Sequence, residues 1–283
     1  MQNIIPQTSE IYKELQEIAN NNKLVVFSGL PGVGKSLYIQ EFQKIVREQG
    51  KEIDVIQWDV ARKSFESDEI AKHFPMGNGT VHDGVKIMSG LWLIDTLEEW
   101  ILKNNDNDRI LLIEAPLVGH RFVELIHPSE NETIEAFLSS EKTVVVMPIP
   151  TKQVRRKIEE ERERQVSEDA KVWSGAKPSV MLMLWKMTCG IANEFGMDIN
   201  MEGQPPYSPG IYEYVFAEIL KHRNFEPLII DEIFEVPDQE ESELHSNFGL
   251  KADNETAEKY AQLVKENYSD ERIETIVSKW YLT

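Results

Sequence analysis

Along this chain short apolar runs are separated by segments whose apolar residues recur every three or four positions. Leu24-Val25-Val26-Phe27, Ile110-Leu111-Leu112-Ile113 and Val144-Val145-Val146-Met147 are apolar at every position. A strand covered on both faces requires that pattern, whereas a three-to-four spacing supplies one buried face of a helix. The runs predict strands at 23–28, 53–58, 109–114, 143–148 and 227–236. The helical spacing predicts helices at 8–21, capped by Thr8 or Ser9, and at 35–48, 83–103, 151–167, 178–195 and 210–222. Weaker helical patterns cover 119–127 and 130–139, and the Gly and Pro content of 73–80 predicts a loop. Strands alternating with helices need crossover connections. The expected fold is therefore α/β: a doubly wound, five-stranded parallel sheet over residues 1–236 with helical insertions. An acidic linker at 237–243 and helices at 253–267 and 270–280 predict a helical C-terminal extension over 237–283.

With 283 residues, 41% of them hydrophobic and 9% aromatic, the chain can bury a large core and is too apolar to be mostly disordered. No stretch approaches the roughly 18 uninterrupted apolar residues of a membrane span, so no membrane partner is expected. Residues 1–7 lack a basic segment followed by an apolar one, which points to a cytoplasmic protein. Cys189 is the only cysteine and cannot form an internal disulfide; it is expected on the inner face of a helix. A formal charge of -19 repels a polyanion held on a broad surface and disfavours a nucleic-acid partner.

The sharpest chemical signal is Gly29-Leu30-Pro31-Gly32-Val33-Gly34-Lys35-Ser36, a G-x-x-x-x-G-K-S pattern directly after the first apolar run and before a helix. Glycines let consecutive backbone N–H groups turn inward as an anion cradle, to which a helix start adds its dipole and its unpaired N–H groups. Gly29, Gly32, Val33, Gly34, Lys35, Ser36 and Leu37 are the expected binding residues for ATP or GTP. Lys35 would reach the β- and γ-phosphates, and Ser36 would offer its hydroxyl to Mg²⁺. The plainer alternative is a glycine-rich turn that happens to carry Lys-Ser. Fourteen acidic against five basic residues between Asp231 and Thr283 lead to the expectation that this tail lies away from the phosphate site.

In the order and spacing of elements over roughly 22–236, the chain resembles the P-loop kinase family: nucleoside and nucleotide kinases, zeta toxins and chloramphenicol phosphotransferase. The resemblance implies an acidic residue after the second strand, near the acceptor hydroxyl; the matching position is Asp59, with Arg62 three residues on as a holder of substrate anions. It also implies a Walker-B-type carboxylate at Glu114, holding Mg²⁺ beside Ser36 or facing the acceptor. Arg121 would contact phosphate. The segment 151–167 takes the place of a lid whose Arg155 and Arg162 act on the transferring phosphoryl group. Plainer alternatives stand beside each: Asp59 as the cap of a helix beginning at Val60, Glu114 as a chance strand end, and the lid arginines as i,i+4 partners of glutamates. His82 and Asp83 are weaker candidates for the acceptor pocket. Trp92, Trp100 and Trp173 are assigned no role.

The function these readings imply is an ATP-dependent, Mg²⁺-assisted phosphotransferase acting on a small nucleoside-like or other hydroxyl or phosphate metabolite. The alternatives are a P-loop ATPase, a nucleotide-sensing regulatory protein, or an interaction protein whose acidic extension docks a protein partner. No LSGGQ or N-K-x-D motif occurs, which favours the kinase over transporter ATPases and typical GTPases.

Overall fold

The computed structural model describes residues 3–77, 81–104, 107–168, 178–234 and 249–282, apart from the side chains of residues 162, 165–168 and 178. Five strands, β1 (Leu24–Gly29), β2 (Ile53–Gln57), β3 (Ile110–Pro116), β4 (Thr143–Pro150) and β5 (Phe225–Ile230), form one sheet. Their order is β2-β3-β1-β4-β5 and every neighbouring pair is parallel. The helices are α1 (Glu10–Asn21), α2 (Lys35–Glu48), α3 (Trp58–Ala61), α4 (Asp68–Ala71), α5 (Asp83–Asn104), α6 (Glu132–Leu138), α7 (Lys152–Glu168), α8 (Pro178–Glu194), α9 (Pro209–Ile219), α10 (Asn254–Asn267) and α11 (Asp270–Ser278). Ser9 caps α1, accepting the Tyr12 N–H.

Side chains alternate between the faces of a strand, so each apolar run feeds two cores. Val25, Phe27, Leu112, Val144 and Val146 share a core with α1 and α2, where Phe27 meets Phe42 edge-on at 5.6 Å. Leu24, Val26, Leu111, Ile113, Val145 and Met147 share the other with α5, α8 and α9. Cys189 lies in this second core, and burial pushes its thiol up to about 11. Among the described residues, no helix is long and apolar enough to cross a membrane.

Three expectations are corrected. β5 starts at Phe225 and stops at Ile230, because Ile230 lies opposite Pro150, where β4 ends. The segment at 119–127 is no α-helix but a tight loop with a 3-10 turn at Val123–Leu125. Leu117, Gly119 and Phe122 there hold φ of 51°, 92° and 57°, outside the helical range.

The third correction concerns the acidic tail, which does not lie away from the glycine loop. Ala257, Tyr260, Val264, Ile273 and Trp280 belong to the same core as α5. The Leu250 N–H donates to Val55 O on edge strand β2 (2.7 Å), and Ser64 Oγ donates to Ala252 O (2.7 Å). The apolar faces of α10 and α11 are thus spent on their own chain. The linker at 237–243 lies outside the described residues.

Candidate functional site

The connection leaving β1 runs toward β2, while that leaving the adjacent β4 runs toward β5. Loops that diverge in this way open a crevice at the carboxyl edge of a parallel sheet, where ligands of such folds bind. The glycine loop sits at this edge. Gly29, Gly32 and Gly34 have φ of 137°, 85° and 85°, conformations that side chains disfavour, and Gly34 is the residue from which α2 starts. Lys35 is buried and folds back over the loop, its Nζ donating to Gly29 O (3.2 Å) and Leu30 O (3.5 Å).

Tyr212 of α9 supports the loop. Its phenol oxygen accepts the Leu30 N–H at 2.8 Å, and a Cβ at Gly29 would meet that oxygen at 3.0 Å. Tyr212 is fully buried, which raises its pKa and keeps it a neutral phenol. No local signal marks Tyr212, which lies 182 residues from Leu30. Ser28 Oγ also accepts the Val118 N–H (2.8 Å) and ties the loop after β3 to the end of β1.

A cavity of 1130 Å³ brings Ser36, Asp59 and Glu114 together, with Gln57 and Lys63 also on its wall. The two-residue period puts Glu114 on the Leu112 side of β3, the face covered by α2. Glu114 lies two residues before the end of its strand rather than at it, opposite Gln57, whose Nε2 donates to Glu114 Oε2 at 3.2 Å. Asp59 is not a helix cap. α3 begins one residue earlier, at Trp58, and Gln57 holds the cap position. The Asp59 side chain is 70% exposed and its Oδ1 accepts from Arg62 Nε at 2.9 Å. Arg62 also pairs with Glu66. Burial lowers the Arg62 pKa, but the two carboxylates outweigh it and hold the guanidinium above its ordinary value. Arg62 is therefore engaged by carboxylates rather than presented to an anion.

Arg121 is largely buried in the strained loop after β3. It lies over the Trp58 ring, 5.3 Å from its centroid, and donates to His120 Nδ1 at 2.8 Å. Burial lowers Arg121 to about 10, with Asp59 opposing that shift. Burial, Arg121 and Lys86 lower His120 to about 3, so the imidazole is neutral and Nδ1 accepts.

Arg155, expected in a lid, is 1% exposed, which corrects the picture of a cation on a solvated helix. It packs over Tyr207 at 5.4 Å, donates from Nε to Glu159 at 2.7 Å, and leaves Nη1 buried without a hydrogen-bond partner. Arg156 makes the expected pair with Glu160 at 3.6 Å, while Arg164 donates to Glu161. The Arg162 side chain and Trp173 lie outside the described residues. His82 and Asp83 do not line the large cavity but a separate one of 380 Å³, with Asp270 and Glu274 of α11. Trp92 and Trp100 are core residues.

Ser36 and Glu114 are hard oxygen donors lining one cavity, a set that suits Mg²⁺, which takes one or two protein ligands and completes its shell with water and phosphate oxygens. Among the described residues no group of three or more His, Cys, Asp or Glu forms a metal cage. Fold and site together define an α/β protein with an all-parallel five-stranded sheet and a glycine-rich loop at its carboxyl edge. No protein-family model matches the chain, and no curated protein matches it significantly.

Proposed function

We propose that the chain is a P-loop kinase: an ATP-dependent, Mg²⁺-assisted phosphotransferase acting on a hydroxyl of a small metabolite. The observation that carries this reading is the convergence of Ser36, Asp59 and Glu114 on one cavity beside the glycine loop. In this reading the backbone N–H groups from Gly32 to Leu37, with Lys35 unfolding from Gly29 O, hold the triphosphate. When bound to Ser36 and Glu114, Mg²⁺ supplies charge neutralisation at the phosphates. Asp59 takes the proton of the acceptor hydroxyl. The acceptor oxygen then bonds to the γ-phosphorus as the bond from that phosphorus to the β,γ-bridging oxygen breaks, and ADP leaves with the bonding electrons. The size of the cavity supports an acceptor over a bare ATPase or nucleotide sensor, neither of which needs a second site. The reading carries with it a cytoplasmic setting with ATP at hand and no nucleic acid as partner.

ADP release measured with MgATP, with and without a mixture of hydroxylated metabolites, tests the proposal. Release should depend on the acceptor and vanish in a folded Lys35→Ala variant. Acceptor-independent release would mark an ATPase, and unchanged ATP affinity in Lys35→Ala would remove the phosphate-loop reading.

A further inference from the structure

We propose that the acceptor is a polyhydroxylated small molecule carrying no phosphate of its own, a sugar or amino sugar, and that residues 251–255 of the C-terminal segment select it. The proposal rests on the phosphotransferase reading above and deepens it. Its starting point is where the cavity's far wall comes from. Lys251, Asp253, Asn254 and Glu255 line the same space as Ser36 and Glu114 although they lie far along the chain from both. That wall is built rather than draped. Leu250 N–H is bonded to Val55 O, Ala252 O accepts from Ser64 Oγ, and Asp253 caps α10 by accepting the Thr256 N–H at 2.8 Å.

The chemistry of the lining restricts the occupant. Carboxylates only accept hydrogen bonds and ammonium groups only donate them, whereas a hydroxyl does both. Asp59, Glu114, Asp253 and Glu255 line this cavity together with Lys63 and Lys251, a mixture that a ring of hydroxyls can satisfy. An acceptor phosphate would enter beside the triphosphate and against a lining in which four carboxylates outnumber two lysines, and such like-charge juxtaposition is unfavourable. Arginines that could offset it are engaged elsewhere, Arg62 by Asp59 and Glu66, Arg121 by His120 and the Trp58 ring. No aromatic ring lines the cavity among the described residues, so none of them offers a nucleobase a stacking surface there. At 1130 Å³ the cavity exceeds the roughly 300–1,000 Å³ of ordinary small-molecule sites, leaving room for sugar rings beside the end of a triphosphate.

The test compares glucose, glucosamine, kanamycin, thymidine and thymidine monophosphate as acceptors, reading ADP release and the mass of the product, with ATP binding measured on the same sample. At least one of the three sugars should raise ADP release about tenfold over MgATP alone, with thymidine monophosphate without effect. Glu255→Lys should lower kcat/KM for the preferred sugar about tenfold while leaving the KM for ATP unchanged. The inference is overturned if thymidine or its monophosphate is the best acceptor, if ATP binds yet none of the sugars stimulates release, or if Glu255→Lys leaves the preference intact. Failure to bind ATP would bring down the phosphotransferase reading itself, whereas turnover with a nucleotide acceptor would bring down only the sugar assignment.

Discussion

Asp59 and Glu114 share one cavity but differ in what holds them, and under the proposed function that difference separates their roles. Asp59 is solvent-facing and steadied by a single arginine, so it can meet an incoming hydroxyl; Glu114 sits within the strand beside Gln57, facing the Ser36 side. Asp59→Asn is expected to keep ATP affinity and to lower transfer by roughly 10²–10⁴-fold, the usual worth of a general base. A near-normal kcat in that variant would move the base to Glu114. Glu124 offers a test independent of catalysis. Its stem is partly exposed, but its carboxylate lies against Gly90, with Oε2 buried and without a hydrogen-bond partner. Burial raises its pKa from 4.5 to about 7. Across that window the folded chain keeps a proton that the unfolded chain releases, so this group's contribution to stability falls as pH rises from 4.5 to 7 and is level above. Thermal midpoints of wild type and Glu124→Gln should diverge in favour of the variant over that range; parallel curves would show that Glu124 ionises without cost. The glycines and Lys35 were legible in the sequence because a phosphate loop is a local pattern. Tyr212 was not, since its only link to the loop is spatial.

At the scale of elements, α7 shows how far a charge pattern can mislead. Its run of arginines and glutamates reads as a solvated face, and Arg156 with Glu160 behaves so, both side chains being mostly exposed. Arg155 is one residue away and lies in the interior, because α7 follows β4 directly and that side of the helix packs toward Tyr207. Arg156→Ala should therefore cost no more than the ~0.2–0.5 kcal/mol of an exposed i,i+4 pair. Arg155→Ala should cost distinctly more, about 1.5–3 kcal/mol for a charge-assisted hydrogen bond lost from the interior. Urea unfolding of the two variants separates the cases, and equal small losses would return Arg155 to the surface. If α7 also closes as a lid, kcat should fall in Arg155→Ala by more than ATP affinity does.

For the whole molecule, the C-terminal segment is the deciding part. Read from the sequence as an acidic helical extension, it is part of the core in the structure: Trp280 is buried against the loop after β3, its ring 5.7 Å from that of His120. A Cβ on Gly119 would meet the Trp280 ring at 2.6 Å. Trp280→Ala should destabilise the protein by about 3–5 kcal/mol, as large-to-small changes of buried aromatics do. A loss below 1 kcal/mol in chemical denaturation would make the segment an appendage after all, in disagreement with the ~3–5 expected. The sequence by itself determined the α/β class, the order of the five strands along the chain and most of the helices between them, the glycine loop with Lys35 and Ser36, and the placing of Asp59 after the second strand and Glu114 near the end of the third. These follow from periodicity and backbone conformation, which are set by neighbours a few residues away. Only the tertiary structure decided that Tyr212 holds the loop, that Arg155 is interior, that Arg62 and Arg121 are engaged, and that residues 251–255 wall the cavity. Each of these depends on how helices far apart in sequence pack on the two faces of the sheet, and no spacing along the chain carries that information.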